Sequence, residues 1–257
     1  MSAAPRAVLV TGADANTGYA IVRRFATEGA RVYLHAPTLE LAGAATARLQ
    51  KESGLIAHPL GADFRQPAEI EAMMARIHRE VPALDVLVNN AVDLAMGHAF
   101  LDTPFQFMAN AVAVNFTGLF LCSQLAARRM AERRCGAIIN IGSVTSDRVS
   151  RKRSVYVSTK GAVATLTRAM AVELGPLGIR VNNVTPGYIH TSRWLKTSAA
   201  DMQRRRDNIP LGRESTPDDI ADAVHFLASD QARCITGISL PVDGGTLAQW
   251  FPQHSEV

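Results

Sequence analysis

Short apolar runs, each followed by a helical pattern, recur along the whole chain, and this alternation restricts the possible folds more than any other feature. Ala7-Val8-Leu9-Val10 is the first run, and a glycine-containing turn follows it at once. A helical pattern from about Gly18 to Glu28 then puts Ile21, Val22 and Phe25 on one face. Val32-Tyr33-Leu34 reads as a strand, Leu39 to Leu49 as a helix, Ile56 to Leu60 as a strand and Pro67 to His78 as a helix opened by proline. Val86-Leu87-Val88 is the next strand, and Phe107 to Met130 a long, mostly apolar helix. Ala137 to Ile141 is a strand, Val155 to Leu174 a helix and Arg180 to Val184 a strand. Asp218 to Ala228 is a helix entered through Pro217, and Ile238 to Val242 is the last strand, ending at Asp243-Gly244-Gly245.

Strands that are apolar on both faces belong in a parallel sheet covered by helices. Right-handed crossovers make that an α/β, doubly wound parallel sheet of Rossmann-like type. No linker, repeat or low-complexity run interrupts residues 1–257, which predicts a single domain.

At 47% hydrophobic and 19% charged residues, the composition excludes a disordered chain. There is no uninterrupted apolar stretch of about 18 residues, so no membrane span is expected. The segment before Thr11 is too short for the apolar core of a signal peptide. Cys122, Cys135 and Cys234 are odd in number and far apart, which fits neither a disulfide framework nor a metal knuckle and points to a reducing cytoplasm. The net charge of +4 is spread over clusters at Arg128–Arg134, Arg148–Arg153 and Arg204–Arg206. No nucleic-acid motif accompanies them, so no nucleic-acid partner and no metal site are expected.

Two constellations carry chemistry. The first strand runs into Thr11-Gly12-Ala13-Asp14-Ala15-Asn16-Thr17-Gly18 and then into helix. A tight strand-to-helix turn aims backbone N–H groups and a helix N-terminus at one point, which suits a pyrophosphate. Further on, Tyr156 and Lys160 lie one turn apart on a predicted helix, with Ser143 at the end of the preceding strand and Asn115 in the long helix. A phenol is a poor base at neutral pH, and a neighbouring ammonium favours its ionised form.

These residues resemble the short-chain dehydrogenase/reductase family, in its compact branch, over nearly the whole chain. The matching positions are Thr11-Gly12 with Gly18, Asp63, Asn89-Asn90-Ala91, Asn115, Ser143, Tyr156 with Lys160, Pro186-Gly187 with Thr191, and Asp243-Gly244-Gly245. The resemblance implies an NAD(P)-dependent oxidoreductase that interconverts a secondary alcohol and a ketone. In that reading Tyr156 is the general acid/base, Ser143 binds the carbonyl oxygen, Lys160 grips the nicotinamide ribose, and Asn115 holds a relay water. The turn of Gly12, Asn16, Thr17 and Gly18 holds the pyrophosphate. Asp63 meets the adenine, Asn90 and Ala91 the adenosine-side ribose region, and Pro186, Gly187, Ile189 and Thr191 the carboxamide side. The family also implies a homotetramer paired through the Phe107–Met130 and Val155–Leu174 helices, with Leu247 to Phe251 covering a second axis. Substrate choice is expected in the loop from Tyr188 to Asn208 and in Asp93 to Met96.

Three positions depart from the family pattern. Asn16 and Val92 replace usual glycines. At the end of the second strand, His35-Ala36-Pro37 lacks the acid that would bind a ribose 2′-hydroxyl. The common arginines for a 2′-phosphate are absent too, and the missing repulsion tips the expectation toward NADP. A catalytically retired binding or regulatory protein is the alternative. A cofactor-free dehalogenase relative is disfavoured by Lys160, and an enoyl reductase by the four-residue Tyr–Lys spacing. Finally, Arg148, Arg151, Lys152 and Arg153 fall between Ser143 and Tyr156, where cations would attract a carboxylate or phosphate on a substrate.

Overall fold

The computed structural model describes residues 5–191 and 197–249. Its elements alternate as the apolar pattern requires. They are β1 (Ala7–Val10), α1 (Asn16–Thr27), β2 (Arg31–Ala36), α2 (Leu39–Ser53), β3 (His58–Gly61), α3 (Pro67–Glu80), β4 (Val86–Asn89) and α4 (Phe105–Val112). After these come α5 (Leu119–Arg133), β5 (Gly136–Ile141), α6 (Ser154–Leu174), β6 (Ile179–Pro186), α7 (Ala199–Asp207), α8 (Pro217–Ala228) and β7 (Ser239–Val242).

All seven strands are parallel, in the order β3-β2-β1-β4-β5-β6-β7. The winding direction reverses between β1 and β4, and a crevice opens at such a switch beyond the strands' carboxyl ends. Pro59 lies in β3, an edge strand, where a missing N–H costs least.

Alternate residues of each strand feed two separate cores, as a period of two demands. Val8, Val10, Val32, Leu34, Val86 and Val88 pack under α1, α2 and α8. Leu9, Tyr33, Leu87, Ile138 and Val181 face α3, α5 and α6 instead. Each fully buried Leu or Ile contributes roughly 1.5–3 kcal/mol relative to exposure.

The expected 107–130 helix is broader and is not regular. Ala113–Gly118 forms a wide π turn between α4 and α5, a distortion that recurs at functional sites. The run Phe105–Arg133 is 29 residues long with a mean hydropathy of 1.4 over its most apolar stretch. By length and composition alone it is long and apolar enough to cross a membrane, a test that core helices packed inside a fold also pass. Asn115 inside it is buried and hydrogen-bonded to other elements of the fold. The helix α7 escaped the periodicity argument because only Met202 of its nine residues is buried.

Candidate functional site

The glycine turn sits at the switch point and is fixed by close main-chain packing. Gly12 has φ of 59°, and a Cβ there would lie 2.6 Å from Ala91 Cα. A Cβ on Gly18 would meet Gly12 O at 2.5 Å. Asn90 Nδ2 donates to Gly12 O at 2.6 Å and to Thr11 O at 3.1 Å. Thr11 Oγ1 accepts the N–H groups of Asn90 and Ala91, each at 3.0 Å. Asn16 adopts φ of 48°, so asparagine occupies the left-handed region that the family's glycine would otherwise serve. The N-terminus of α1 carries no side-chain cap and no acid in its first turn, so nothing in that turn opposes an anion at its positive dipole end.

His35 is a second brace, which no local sequence pattern marks. Its Nδ1 accepts Gly12 N–H at 3.0 Å, and its Nε2 lies 2.9 Å from Ala62 O. With one nitrogen accepting and the other donating, the ring is neutral, and burial lowers its pKa to about 4. The ring packs 4.6 Å from Phe64. Its side chain is therefore turned into the fold, leaving Pro37 at the rim.

Asp63 lines the same depression, tied to Arg65, whose Nη2 stands 2.6 Å from Asp63 Oδ2. That bond holds its carboxyl below the usual range. Asp14 lines it too, and Arg48 donates to Asp14 O at 2.8 Å from α2.

On the β5–β6 side, Ser143, Tyr156 and Lys160 line one cleft of about 400 Å³. Thr17, Asn90, Val92 and Leu94 line both this cleft and the depression at the glycine turn, so the two form one groove. Val92 stands at the junction, partly exposed. Ser143 Oγ accepts Thr145 N–H at 3.2 Å and shares a hydrogen bond with Thr145 Oγ1 at 2.9 Å. Lys160 Nζ donates to Ile141 O at 2.6 Å and stands 5.8 Å from the centre of the Tyr156 ring. Burial pulls its pKa down to about 8, so it remains mostly protonated at neutral pH.

Asn115 is placed by the π turn against the second turn of α6. Its Oδ1 accepts Asp93 N–H at 2.7 Å, while Nδ2 donates to Asp93 O at 2.8 Å and Thr159 Oγ1 at 3.1 Å. Thr159 Oγ1 donates in turn to Tyr156 O at 2.8 Å, which links the two helices beneath the tyrosine. Both amide donors of Asn115 are thus spent, leaving acceptor capacity only. Below lies a buried ladder: Asn89 Nδ2 donates to Asn140 Oδ1 and Ser123 Oγ, both at 2.9 Å, and Asn140 Nδ2 to Thr167 Oγ1 at 2.8 Å. It pins the ends of β4 and β5 to α5 and α6.

Pro186, Gly187 and Ile189 line the cleft's far wall. Thr191 Oγ1 is buried with no hydrogen-bond partner among the described residues, a cost unless a ligand supplies one. Beside it, Arg205 and Arg206 of α7 and His190 converge on buried Glu214 at 3.4, 3.5 and 3.6 Å. The Arg205 guanidinium stacks 4.7 Å over Tyr188, which faces the cleft. No local pattern in the sequence joins Glu214 or Thr159 to their partners.

An uncapped helix start, two glycines with no room for a Cβ and an orphaned hydroxyl together fit a dinucleotide coenzyme. Among the described residues, no three His, Cys, Asp or Glu side chains cluster as metal ligands would.

The model for a family described as enoyl-(acyl carrier protein) reductase matches residues 12–246. The chain is 38% identical over 247 residues to an L-rhamnose 1-dehydrogenase (NAD(P)(+)) of Azotobacter vinelandii, covering 93% of this chain and 96% of that one. It is 40% identical over 226 residues to the inactive 2-(S)-hydroxypropyl-CoM dehydrogenase 2 of Xanthobacter autotrophicus, covering 86% and 96%. The crystal structure of gox2181 superposes with a TM-score of 0.89 at 30% identity, covering 95% of this chain and 96% of that one. The parallel order, the groove at the switch point and these likenesses agree, and the chain belongs to the short-chain dehydrogenase/reductase family, as an oxidoreductase.

Proposed function

We propose that this protein interconverts a secondary alcohol and a ketone, with Tyr156 as general acid/base. The observation that carries the reading is the single groove in which Ser143, Tyr156 and Lys160 meet the glycine turn. When bound, the coenzyme supplies or accepts the hydride. In the reducing direction Tyr156 Oη gives its proton to the substrate oxygen as negative charge develops there. Ser143 donates its hydroxyl proton to the same oxygen, which Thr145 Oγ1 permits by donating back. Lys160 contributes positive charge beneath the phenol and donors to the nicotinamide ribose. Asn115 braces the tyrosine's helix and offers an acceptor to a relay water.

The glycine turn with Asn16, Thr17 and Gly18 would hold the pyrophosphate, Asp63 the adenine, and Asn90 and Ala91 the adjoining ribose. Pro186, Gly187, Ile189 and Thr191 would hold the carboxamide side, where the unpartnered Thr191 hydroxyl supplies a donor. NADP is the proposed coenzyme. Its support is the absence of an acid at Ala36 and Pro37 and the presence of Arg48 beside the turn. The carboxylate of Asp14 weighs the other way.

The working form is a single-domain subunit of a cytoplasmic homotetramer acting on a small molecule, without nucleic acid or membrane. The exposed side chains of Phe120 and Val172, on the two helices expected to pair, support that assembly. Part of the tail expected to cover a second axis, Trp250 and Phe251, lies outside the described residues. Light scattering at micromolar concentration should give a tetramer mass, and a monomer mass would end this assembly.

The test of the reaction is Tyr156→Phe. Turnover of a ketone panel should fall about 10²–10⁴-fold, while coenzyme affinity by fluorescence titration stays unchanged. A variant keeping most of its kcat removes Tyr156 from the role of acid. Coenzyme binding by wild-type protein with no turnover of any alcohol or ketone favours the binding-protein alternative.

A further inference from the structure

The four cations ahead of Tyr156 are not equivalent in three dimensions. Arg151 and Lys152 are exposed in a turn and stay outside the catalytic cleft. Arg148 and Arg153 line it. Arg148 donates to the Leu247 and Gln249 carbonyls and so also ties down the segment after β7. Arg153 differs: it is half-buried, and its side chain has no hydrogen bond or ion pair to any described residue.

Three features make this position costly unless an anion lies beside it. Arg153 is the N-cap of α6 yet makes no side-chain capping bond, and the first turn of that 21-residue helix contains no acid. A cation at a helix N-terminus opposes the macrodipole, where an anion would gain about 0.3–1 kcal/mol. Among the described residues, the cleft lining also holds Arg148, Arg153 and Lys160 but no Asp or Glu. With Lys160 committed to Ile141 O beneath Tyr156, Arg153 places a positive charge one helical turn from the proposed acid, with no ion-pair partner among the described residues. A guanidinium presents paired donors that match a planar or tetrahedral oxyanion.

We infer that the substrate is an anionic ketone or alcohol, a keto or hydroxy acid in the broad sense, whose oxyanion is held by Arg153 while its carbonyl faces Ser143 and Tyr156. The inference rests on the alcohol–ketone reading for the reacting end, but the anion site stands on the lining of the cleft itself. Carboxylate, sulfonate and phosphonate share the required chemistry. Arg148 in the same lining adds positive charge, and neutral ketones lose the contact.

Equilibrium binding separates this inference from the reaction. Calorimetric titrations of the coenzyme-loaded protein would compare 4-oxopentanoate with its methyl ester, and with 2-oxopropanesulfonate and 2-oxopropylphosphonate. At least one anion should bind roughly tenfold or more tightly than the ester, and the rank among the three identifies the headgroup. Arg153→Gln should erase the preference, Arg153→Lys should keep part of it, and Arg151→Gln should leave it intact. Coenzyme affinity and thermal melting should be unchanged in all three variants, which excludes misfolding as the cause. Equal affinity for ester and anions, no measurable binding of any anion, or equal weakening of both by Arg153→Gln overturns the anion site. Turnover of the same probes is scored separately: tight anion binding without reduction counts against the alcohol–ketone reading and leaves the Arg153 site in place.

Discussion

The two ends of the groove are held in shape by different means. At the glycine turn, backbone meets backbone: Gly12 against Ala91, Gly18 against Gly12 O, with Thr11, Asn90 and His35 bonded to main-chain atoms. At the catalytic end, side chains set the geometry: Asn115 through Thr159 to the tyrosine's helix, and Glu214 through two arginines to α7. The first arrangement tolerates little change in volume, because no flexible atom can move aside. The second tolerates volume but depends on charge and hydrogen-bonding capacity. Mutations at the two ends should therefore fail in different ways.

The sharpest break of this contrast is Gly12→Ala. The left-handed backbone and the 2.6 Å approach to Ala91 Cα leave no place for a methyl group. A strain of about 1–3 kcal/mol plus displacement of the turn should weaken coenzyme binding by roughly 100-fold or more. Normal affinity in a fluorescence titration would show that the turn is not fixed by packing.

Lys160→Met probes the charged end. In the folded protein Lys160 loses its proton near pH 8, against 10.5 for the free side chain. The unfolded chain thus binds more protons between these values, and wild-type stability gains as pH rises across that window. The linked difference is about 3 kcal/mol. Denaturant melts should show the variant's relative advantage greatest below pH 8 and shrinking by that amount toward pH 10.5. A pH-independent difference would mean the ammonium is not penalised by burial.

The acid limb tests the brace at the other end. His35 titrates near pH 4 when folded, below its ordinary 6.5. The stability it confers is complete above pH 6.5 and is lost as pH falls through 4, again about 3 kcal/mol at most. His35→Phe should flatten that limb in the pH dependence of unfolding and also loosen coenzyme binding through the orphaned Gly12 N–H. An unchanged limb would remove His35 as its source.

Glu214→Gln should have a smaller effect, because Arg206 and His190 are partly solvated. A destabilisation of about 1–2 kcal/mol and a raised KM with unchanged coenzyme affinity are expected. A loss of coenzyme affinity instead would merge the two ends that are here kept apart. Asp14→Ser is the mildest change. It should move the NADPH/NADH affinity ratio a few-fold toward NADPH by removing a like charge, and an unmoved ratio would take Asp14 out of coenzyme choice.

The strand–helix alternation determined the doubly wound sheet, because near-continuous apolar strands can be buried only between two helical layers. Ser143, Tyr156 and Lys160 could be picked out from sequence for a related reason: they lie at strand and helix ends, where the chain itself fixes their spacing. The left-handed Asn16 was similarly legible, since asparagine is one of the few residues that accept that backbone. Helix α7 was not, because a helix held by Glu214 and Tyr188 instead of an apolar stripe leaves no periodicity to read. Nor could the sequence show that His35 turns inward to Gly12, 23 positions away, or that Asn115 reaches Thr159, 44 positions away. Among the cations ahead of Tyr156, composition alone treats Arg151 and Arg153 alike. Only the packing of α6 against the cleft places one in solvent and the other in the groove, since burial and the absence of a counter-charge are properties of neighbours brought together by the fold.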